Sequence, residues 1–166
     1  VALAGIMGGF NSEIKTGTKD ILLESAWFEP VSIRRTSRRF RLHTEASHRF
    51  ERGADPMMTV NALLRTAEII LRQCPEARVS AVTDAVGRKI KPTHLKYRNA
   101  RYEKIIGTGV KFSAAVAILK KIGCEVDDRD NEAQICKVTI PSWRCDIERE
   151  IDLIEEIARL TGYDKV

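Results

Sequence analysis

The stretch Gly87-Arg-Lys-Ile-Lys-Pro92 constrains the fold more than any other feature of the chain. It is polar, it begins with glycine and ends with proline, and the character of the sequence changes across it. From Val1 to Pro92 there are 15 Lys and Arg against 10 Asp and Glu; from Thr93 onward the two kinds balance at 13 each. A break at 87–92 leaves two stretches, 1–86 and 93–163, each short and each obliged to close its own modest core. With 43% apolar and 31% charged residues, the composition is that of a globular chain and not of a disordered one. No apolar run nears the ~20 residues of a membrane span, and no basic-then-apolar leader opens the chain at Val1. Cys74, Cys124, Cys136 and Cys145 form no CxxC pair, which predicts reduced thiols instead of a zinc site or a disulfide framework.

In the first stretch, Val1–Met7 is apolar and ends in Gly8-Gly9, predicting a buried strand that turns on glycine. Residues 21–28 predict a second strand, interrupted by Glu24. Pro30 suits the first position of a helix to about Arg39. Thr44 or Ser47 can cap a short helix to Arg52. Asp55 and Pro56 open a helix to about Gln73, with Val60, Leu63, Leu64, Ala67, Ile70 and Leu71 on one side. Residues 79–86 read as a returning strand. In the second stretch the pattern predicts a strand at 93–98, a helix capped by Asn99 and ended by Gly107, and a helix capped by Ser113 and stopped by Gly123. A hairpin follows, 124–127 and 134–140, with a charged tip at 127–132; the last helix runs from about Glu148 to Thr161.

Three features carry chemistry. Seven arginines (34, 35, 38, 39, 41, 49 and 52) lie within one short basic run with only Glu45 and Glu51 among them. Such a run suits a phosphate or carboxylate partner that planar guanidinium forks can grip, or it is a solvated face whose arginines bond to the chain's own carbonyls and acids. On the last helix, at about 100° per residue, Ile147, Ile151, Ile154, Ile157 and Ala158 form a core stripe. Glu148, Asp152, Glu155 and Glu156 fall on a separate arc just after Asp146. Acids crowded this way need water, a basic surface or a hard cation to offset their repulsion. Third, Glu24 sits in an apolar run near Gly5, Gly8 and Gly9. Turned inward it would be a ligand for an ammonium or a hydroxyl, and turned outward an ordinary strand residue. His43 and His48 flank residues 44–47, but no serine elbow or second partner makes a nucleophilic site of them, and nothing supplies a base to Cys145 beside Arg144.

Several longer strings go further. Gly5-Ile-Met-Gly-Gly, Leu22-Leu-Glu-Ser-Ala-Trp-Phe-Glu-Pro, His43-Thr-Glu-Ala-Ser-His-Arg-Phe-Glu-Arg-Gly and Asp55-Pro resemble, in that order, the β subunit of bacterial phenylalanyl-tRNA synthetases. Pro141-Ser-Trp-Arg-Cys-Asp-Ile-Glu and Asp152-Leu-Ile-Glu-Glu-Ile-Ala-Arg-Leu-Thr-Gly-Tyr-Asp continue the match over almost the whole chain. β subunits of this family are several times longer, so the resemblance implies an internal fragment. The implied fold is α+β: the C-terminal part of a B3/B4-type α/β editing domain at 1–86, a linker at 87–92, and a small winged-helix-like B5-type domain, of a kind also described as DNA-binding, at 93–163.

The resemblance implies a cytoplasmic enzyme that joins phenylalanine to tRNA(Phe) using ATP, bound mainly by an α subunit in an α2β2 heterotetramer, and that hydrolyses mischarged Tyr-tRNA(Phe) in the β chain. Glu24 would accept the tyrosine hydroxyl, Gly5 and Gly8 would line the pocket, and Thr44 and Ala46 would border it. A buried acceptor favours Tyr over Phe because only Tyr brings a hydroxyl to it. Asp146, Asp152, Glu155 and Glu156 would bind a Mg²⁺ shared with the α subunit. Aminoacylation would have no catalytic residue in this stretch, and the stretch alone would be inactive. Two other readings stand beside this one: a free-standing RNA- or DNA-binding module using Arg34–Arg52, and a stand-alone hydrolase centred on Glu24.

Overall fold

In the computed structural model, which describes residues 1–87, 90–128 and 132–165, the chain forms two compact units, Val1–Lys89 and Ile90–Val166. Arg88 and Lys89 of the expected linker and residues 129–131 of the expected hairpin tip lie outside the described residues.

The first unit opens with a two-rung antiparallel hairpin of β1 (Ala2–Leu3) and β2 (Met7–Gly8). Three helices follow: α1 (Pro30–Phe40), α2 (Glu45–Phe50) and α3 (Thr59–Gln73). The expected single strand over 1–7 is thus two very short ones, because Gly5 takes φ +69° and folds the run back on itself. The strands expected at 21–28 and 79–86 are absent: both segments are irregular. A strand needs a ladder partner, and the short rungs of β1 and β2 are spent on each other. Local signals fared better. Pro30 opens α1 with Glu29 as its cap, accepting from the Ser32 amide at 2.7 Å. Asp55 accepts from the Met57 amide ahead of a 3-10 turn at Pro56–Met58. Only Ile6 and Ile33 are buried apolar residues among those described in this unit, and no residue of α3 is buried.

The second unit has a continuous core. Strands β3 (Thr93–Arg98), β4 (Glu125–Asp127) and β5 (Ile135–Ile140) form an antiparallel sheet in the order β3-β5-β4. Helices α4 (Asn99–Ile106), α5 (Phe112–Lys121) and α6 (Glu150–Thr161) complete it, α6 packing on both α5 and β3. Tyr97, Tyr102, Leu119, Val138, Leu153, Ile154 and Ile157 are all but sealed from solvent, and the Tyr97 and Phe112 rings stack at 6.4 Å. Neither expected cap is one. Asn99 is the first residue of α4, and its buried side chain instead donates to the Val110 carbonyl at 3.0 Å and the Gln134 side chain at 3.1 Å, while accepting from the Tyr97 hydroxyl at 2.9 Å. Ser113 lies inside α5, which begins one residue earlier with the buried Phe112. Gly123 ends the α5 turn at φ +89°, where a Cβ would meet the Trp143 ring at 2.8 Å.

None of the four cysteines is in a disulfide; Cys124 and Cys136 are buried, Cys74 and Cys145 exposed. Burial pushes the Cys136 thiol up to about 11 and raises Cys124 as well. Titrating the folded chain with a thiol-reactive dye at pH 8 is therefore expected to label two thiols quickly and the other two only as the second unit opens. Four fast thiols at once would contradict this packing.

Candidate functional site

The residues around the N-terminal glycines are held by local chemistry that can be followed atom by atom. Thr44 caps α2: its Oγ1 accepts from the Ser47 amide at 3.1 Å, and the Ser47 hydroxyl accepts from the Thr44 amide at 3.0 Å. The Thr44 hydroxyl also donates to the Ile6 carbonyl at 2.6 Å, so the start of α2 is fastened to the β1–β2 turn. At Gly5 a Cβ would lie 2.7 Å from Ile33 Cδ1 and 2.8 Å from the Phe28 ring, which itself meets Phe50 edge-on at 4.9 Å. Gly5 and Thr44 therefore belong to one neighbourhood, and half-buried Ala46 follows Thr44 by two residues on α2. At Gly8, by contrast, nothing lies within 4 Å of where a Cβ would be. Gly9 is the more constrained neighbour: its amide donates to the Val1 carbonyl at 2.7 Å, and a Cβ there would stand 2.3 Å from that oxygen. The sequence groups Gly9 with Gly5 and Gly8, and the pocket set implied by the resemblance takes only Gly5 and Gly8; a close backbone approach leaves no mark in the sequence beyond the glycine itself.

Glu24 does not join this neighbourhood through any bond. It is exposed on the irregular segment before α1, and no hydrogen bond or ion pair reaches it among the described residues. The hollow nearest Thr44 is polar, about 380 Å³, and is lined by His43, Thr44, Glu45, Ser47, His48 and Glu51. Both histidines, read from sequence as lacking a catalytic partner, stand at its edge and are exposed.

The basic run divides cleanly. Arg34 donates to the Glu51 carbonyl at 3.2 Å, Arg49 pairs with Glu45 at 3.3 Å, and Arg52 donates to the His48 carbonyl at 2.9 Å. Arg35, Arg38, Arg39 and Arg41 are exposed and have no acidic partner among the described residues.

On the second unit, the acids of α6 are met by arginines of the same unit. Arg144 grips Asp146 with both edges of its guanidinium, at 2.8 and 2.6 Å, and reaches Glu156 at 3.2 Å. Arg159 forks onto Glu156 at 3.2 and 2.7 Å. These contacts hold the Asp146 carboxyl below the usual carboxylate range through Arg144, and the Glu156 carboxyl below it through Arg159 first and then Arg144. Asp152 accepts from the amides of Glu148 and Arg149 at 3.0 and 2.7 Å and so closes the first turn of the helix. Glu155 is exposed, with no partner among the described residues. Glu150, absent from the expected set, is the best-held acid. It accepts from the Arg98 amide at 3.0 Å and from the Arg98 guanidinium at 3.0 and 2.6 Å, and it forms an ion pair with Arg101 at 3.4 Å, tying the end of β3 to the start of α6. Among the described residues no three acidic, histidine or cysteine side chains gather closely enough to hold a metal ion. The four acids expected to bind magnesium thus do not fit an ion held by this chain alone: two are spent on Arg144 and a third caps a helix. No helix among the described residues is long and apolar enough to cross a membrane.

Comparison with known proteins adds a second line. A B3/4 domain family model matches residues 1–75, and a tRNA synthetase B5 domain model matches residues 95–163. The chain is 45% identical over 165 residues to the phenylalanine--tRNA ligase beta subunit of Anaeromyxobacter dehalogenans, covering 99% of this chain and 20% of that one. It is 44% identical over 166 residues to the protein of the same name from Geobacter metallireducens, and 42% identical over 166 residues to that of Thermotoga maritima, each match covering 100% of this chain and 20% of the other. The chain spans about one fifth of the length of the relatives it matches.

Proposed function

Because the chain belongs to the family of phenylalanine--tRNA ligase beta subunits, we propose that it supplies such a subunit with part of a tRNA-editing domain and with the B5 domain that follows it. In this reading the parent enzyme charges tRNA(Phe) with phenylalanine at the expense of ATP, in an α2β2 assembly whose α subunit does the joining. The first unit then serves hydrolysis of Tyr-tRNA(Phe). The observation that carries the reading is the occurrence of both domain matches, in order, within one stretch of 45% identity that covers almost the whole chain.

The neighbourhood of Gly5 and Thr44 supports a pocket wall at this point. Gly5 leaves no room for a side chain, and Thr44 fixes the helix beside it through the Ile6 carbonyl. Glu24 would then gain its enclosure from parts of the subunit that this stretch does not contain, and would accept the hydroxyl of a misplaced tyrosine. A site built around such an acceptor separates the hydroxylated side chain from its plain analogue by ~10⁴ or more, because the analogue leaves the buried acceptor unpaired. In this reading a positioned water does the hydrolysis, and the Ser47 hydroxyl beside the hollow is turned to the Thr44 carbonyl at 3.0 Å. A Mg²⁺ shared with the α subunit would find Glu155 open, whereas Asp146 and Glu156 would have to release Arg144 to reach it.

The test is made in the full-length β subunit assembled with its α subunit. Glu24→Ala is expected to cut deacylation of Tyr-tRNA(Phe) by at least ~10²-fold while leaving phenylalanine charging unchanged. Deacylation equal to that of the parent enzyme would remove Glu24 from the pocket. The 166-residue chain alone is expected to catalyse neither phenylalanine-dependent pyrophosphate exchange nor deacylation.

A further inference from the structure

We propose that the outer face of α1 is a phosphate-binding rail for RNA, formed by Arg35, Arg38, Arg39 and Arg41. The inference takes its choice of polyanion from the tRNA-directed reading above; its geometry comes from the helix alone. At about 100° per residue, Arg35, Arg38 and Arg39 fall within an arc of about 100°. Ile33 and Ser37, the buried residues of α1, lie on the opposite side. The face is therefore fixed outward by the packing of the helix and not by the arginines. Arg41 extends the row past the helix end, where the chain enters the left-handed region at φ 54°.

What distinguishes these four is that none has an acidic partner among the described residues; Arg39 lies over the Phe40 ring instead. The nearby acids are already engaged: Glu29 caps α1, Glu45 is paired with Arg49, and Glu51 lies 3.8 Å from Arg52. Arg34, Arg49 and Arg52 serve the loop and helix around α2. Holding four guanidinium groups side by side with no anion costs repulsion that a polyanion would relieve. From Arg35 to Arg39 the rise is about 6 Å, the axial distance of about two phosphates on one strand. Arginine, planar and forked, suits phosphate oxygens better than a lysine point charge would. The rail carries no base-edge-reading chemistry: it offers guanidinium groups along a convex helix and one exposed ring, Phe40, over which Arg39 lies at 5.6 Å from the centroid. It is expected to grip backbone without regard to sequence.

The experiment measures binding of the full-length β subunit, assembled with its α subunit, to a fluorescently labelled tRNA transcript by anisotropy at several salt concentrations. Four phosphate contacts predict a slope of log K against log salt near about −3 from this face. Replacing all four residues by Gln is expected to flatten the slope by about 3 and to weaken binding more than about tenfold at low salt; replacing all four by Lys is expected to keep most of the slope. Should the fourfold Gln variant lose its helical circular dichroism, the pairs Arg35→Gln with Arg39→Gln and Arg38→Gln with Arg41→Gln are each expected to remove about half of it. Arg65→Gln with Arg72→Gln on α3, where both are paired with Glu68, controls for net charge and is expected to leave the slope unchanged. An equal loss in the control, an unchanged slope in the folded Gln variants, or binding to phosphatidylserine vesicles in place of RNA would each overturn the rail. Tyr-tRNA deacylation plays no part in this readout, so failure of the editing assignment and failure of the rail are told apart.

Discussion

Leu153→Ala is expected to destabilise the second unit by about 2–5 kcal/mol, the range found when a sealed leucine is cut back and its cavity cannot fully collapse. Leu153 is fully buried in α6, between Asp152, which closes the first turn of the helix, and Ile154, also fully buried. The packing around it is pinned by polar bonds as well as by contact. Glu150 ties the start of α6 to Arg98 at the end of β3, Arg144 ties its middle to the loop before it through Glu156, and Asn99 locks β3 to the hairpin. A wall held at several points relaxes little into a cavity, which places the cost toward the upper end. Urea unfolding followed by Trp143 in a Trp27→Phe background reads this unit alone, because the chain has two tryptophans, one in each unit. The control is Leu64→Ala on α3. Leu64 is 54% exposed, alanine is the better helix former, and the change is expected to stay within about 0.5 kcal/mol. A Leu153→Ala midpoint shift as small as that of Leu64→Ala would mean that α6 does not close the core.

The contrast between these two leucines also marks where the sequence was legible. Proline, glycine and capping residues act within a few positions of themselves, so α1, α2, the turn at Pro56, the stop at Gly107 and the β4–β5 hairpin could all be read locally. The apolar stripe of α6 was legible too, because its partners lie in the same unit. The runs at 21–28 and 79–86 have the composition of strands, but a strand is a property of a pair, and among the described residues no further strand pairs with them. On α3 the expected apolar side divides: Leu63, Ala67 and Ile70 are half-buried, while Val60, Leu64 and Leu71 are exposed. The site residues follow the same logic. Thr44 was legible as a cap, and its second bond to the Ile6 carbonyl, 38 residues away, was not. The acids of α6 were legible as a row. Arg144, which binds two of them, was noticed only as a neighbour of Cys145, since nothing in the spacing says that a residue before a helix will fold back across its first turns. For the basic run the two readings each hold in part, with three arginines bonded within the chain and four left facing outward.

Amide hydrogen exchange in this chain is expected to be deeply unequal, with α6 amides protected about a thousandfold or more over those of α3. Exchange from a helix interior requires opening, and the free energy of opening is set by the apolar surface that closing removes from water. The second unit buries a contiguous set of aromatic and aliphatic side chains that includes four residues of α6 itself. The first unit buries two apolar side chains, Ile6 and Ile33, and leaves Phe10, Ile14, Leu22, Met57, Val60, Leu64 and Ile69 in contact with water. Ordering a backbone costs about 1–2 kcal/mol per residue, and a helix of 15 residues with no fully buried side chain has little to set against it. The ion pairs of Glu68 with Arg65 and Arg72 do not alter this, because exposed pairs along a helix contribute only a few tenths of a kcal/mol each. Heating is accordingly expected to melt α3 ahead of the second unit, as two transitions in circular dichroism and not one. Uniform protection across both units, with a single transition, would mean that the apolar side chains of α3 are covered in solution and that the first unit closes a core well beyond Ile6 and Ile33.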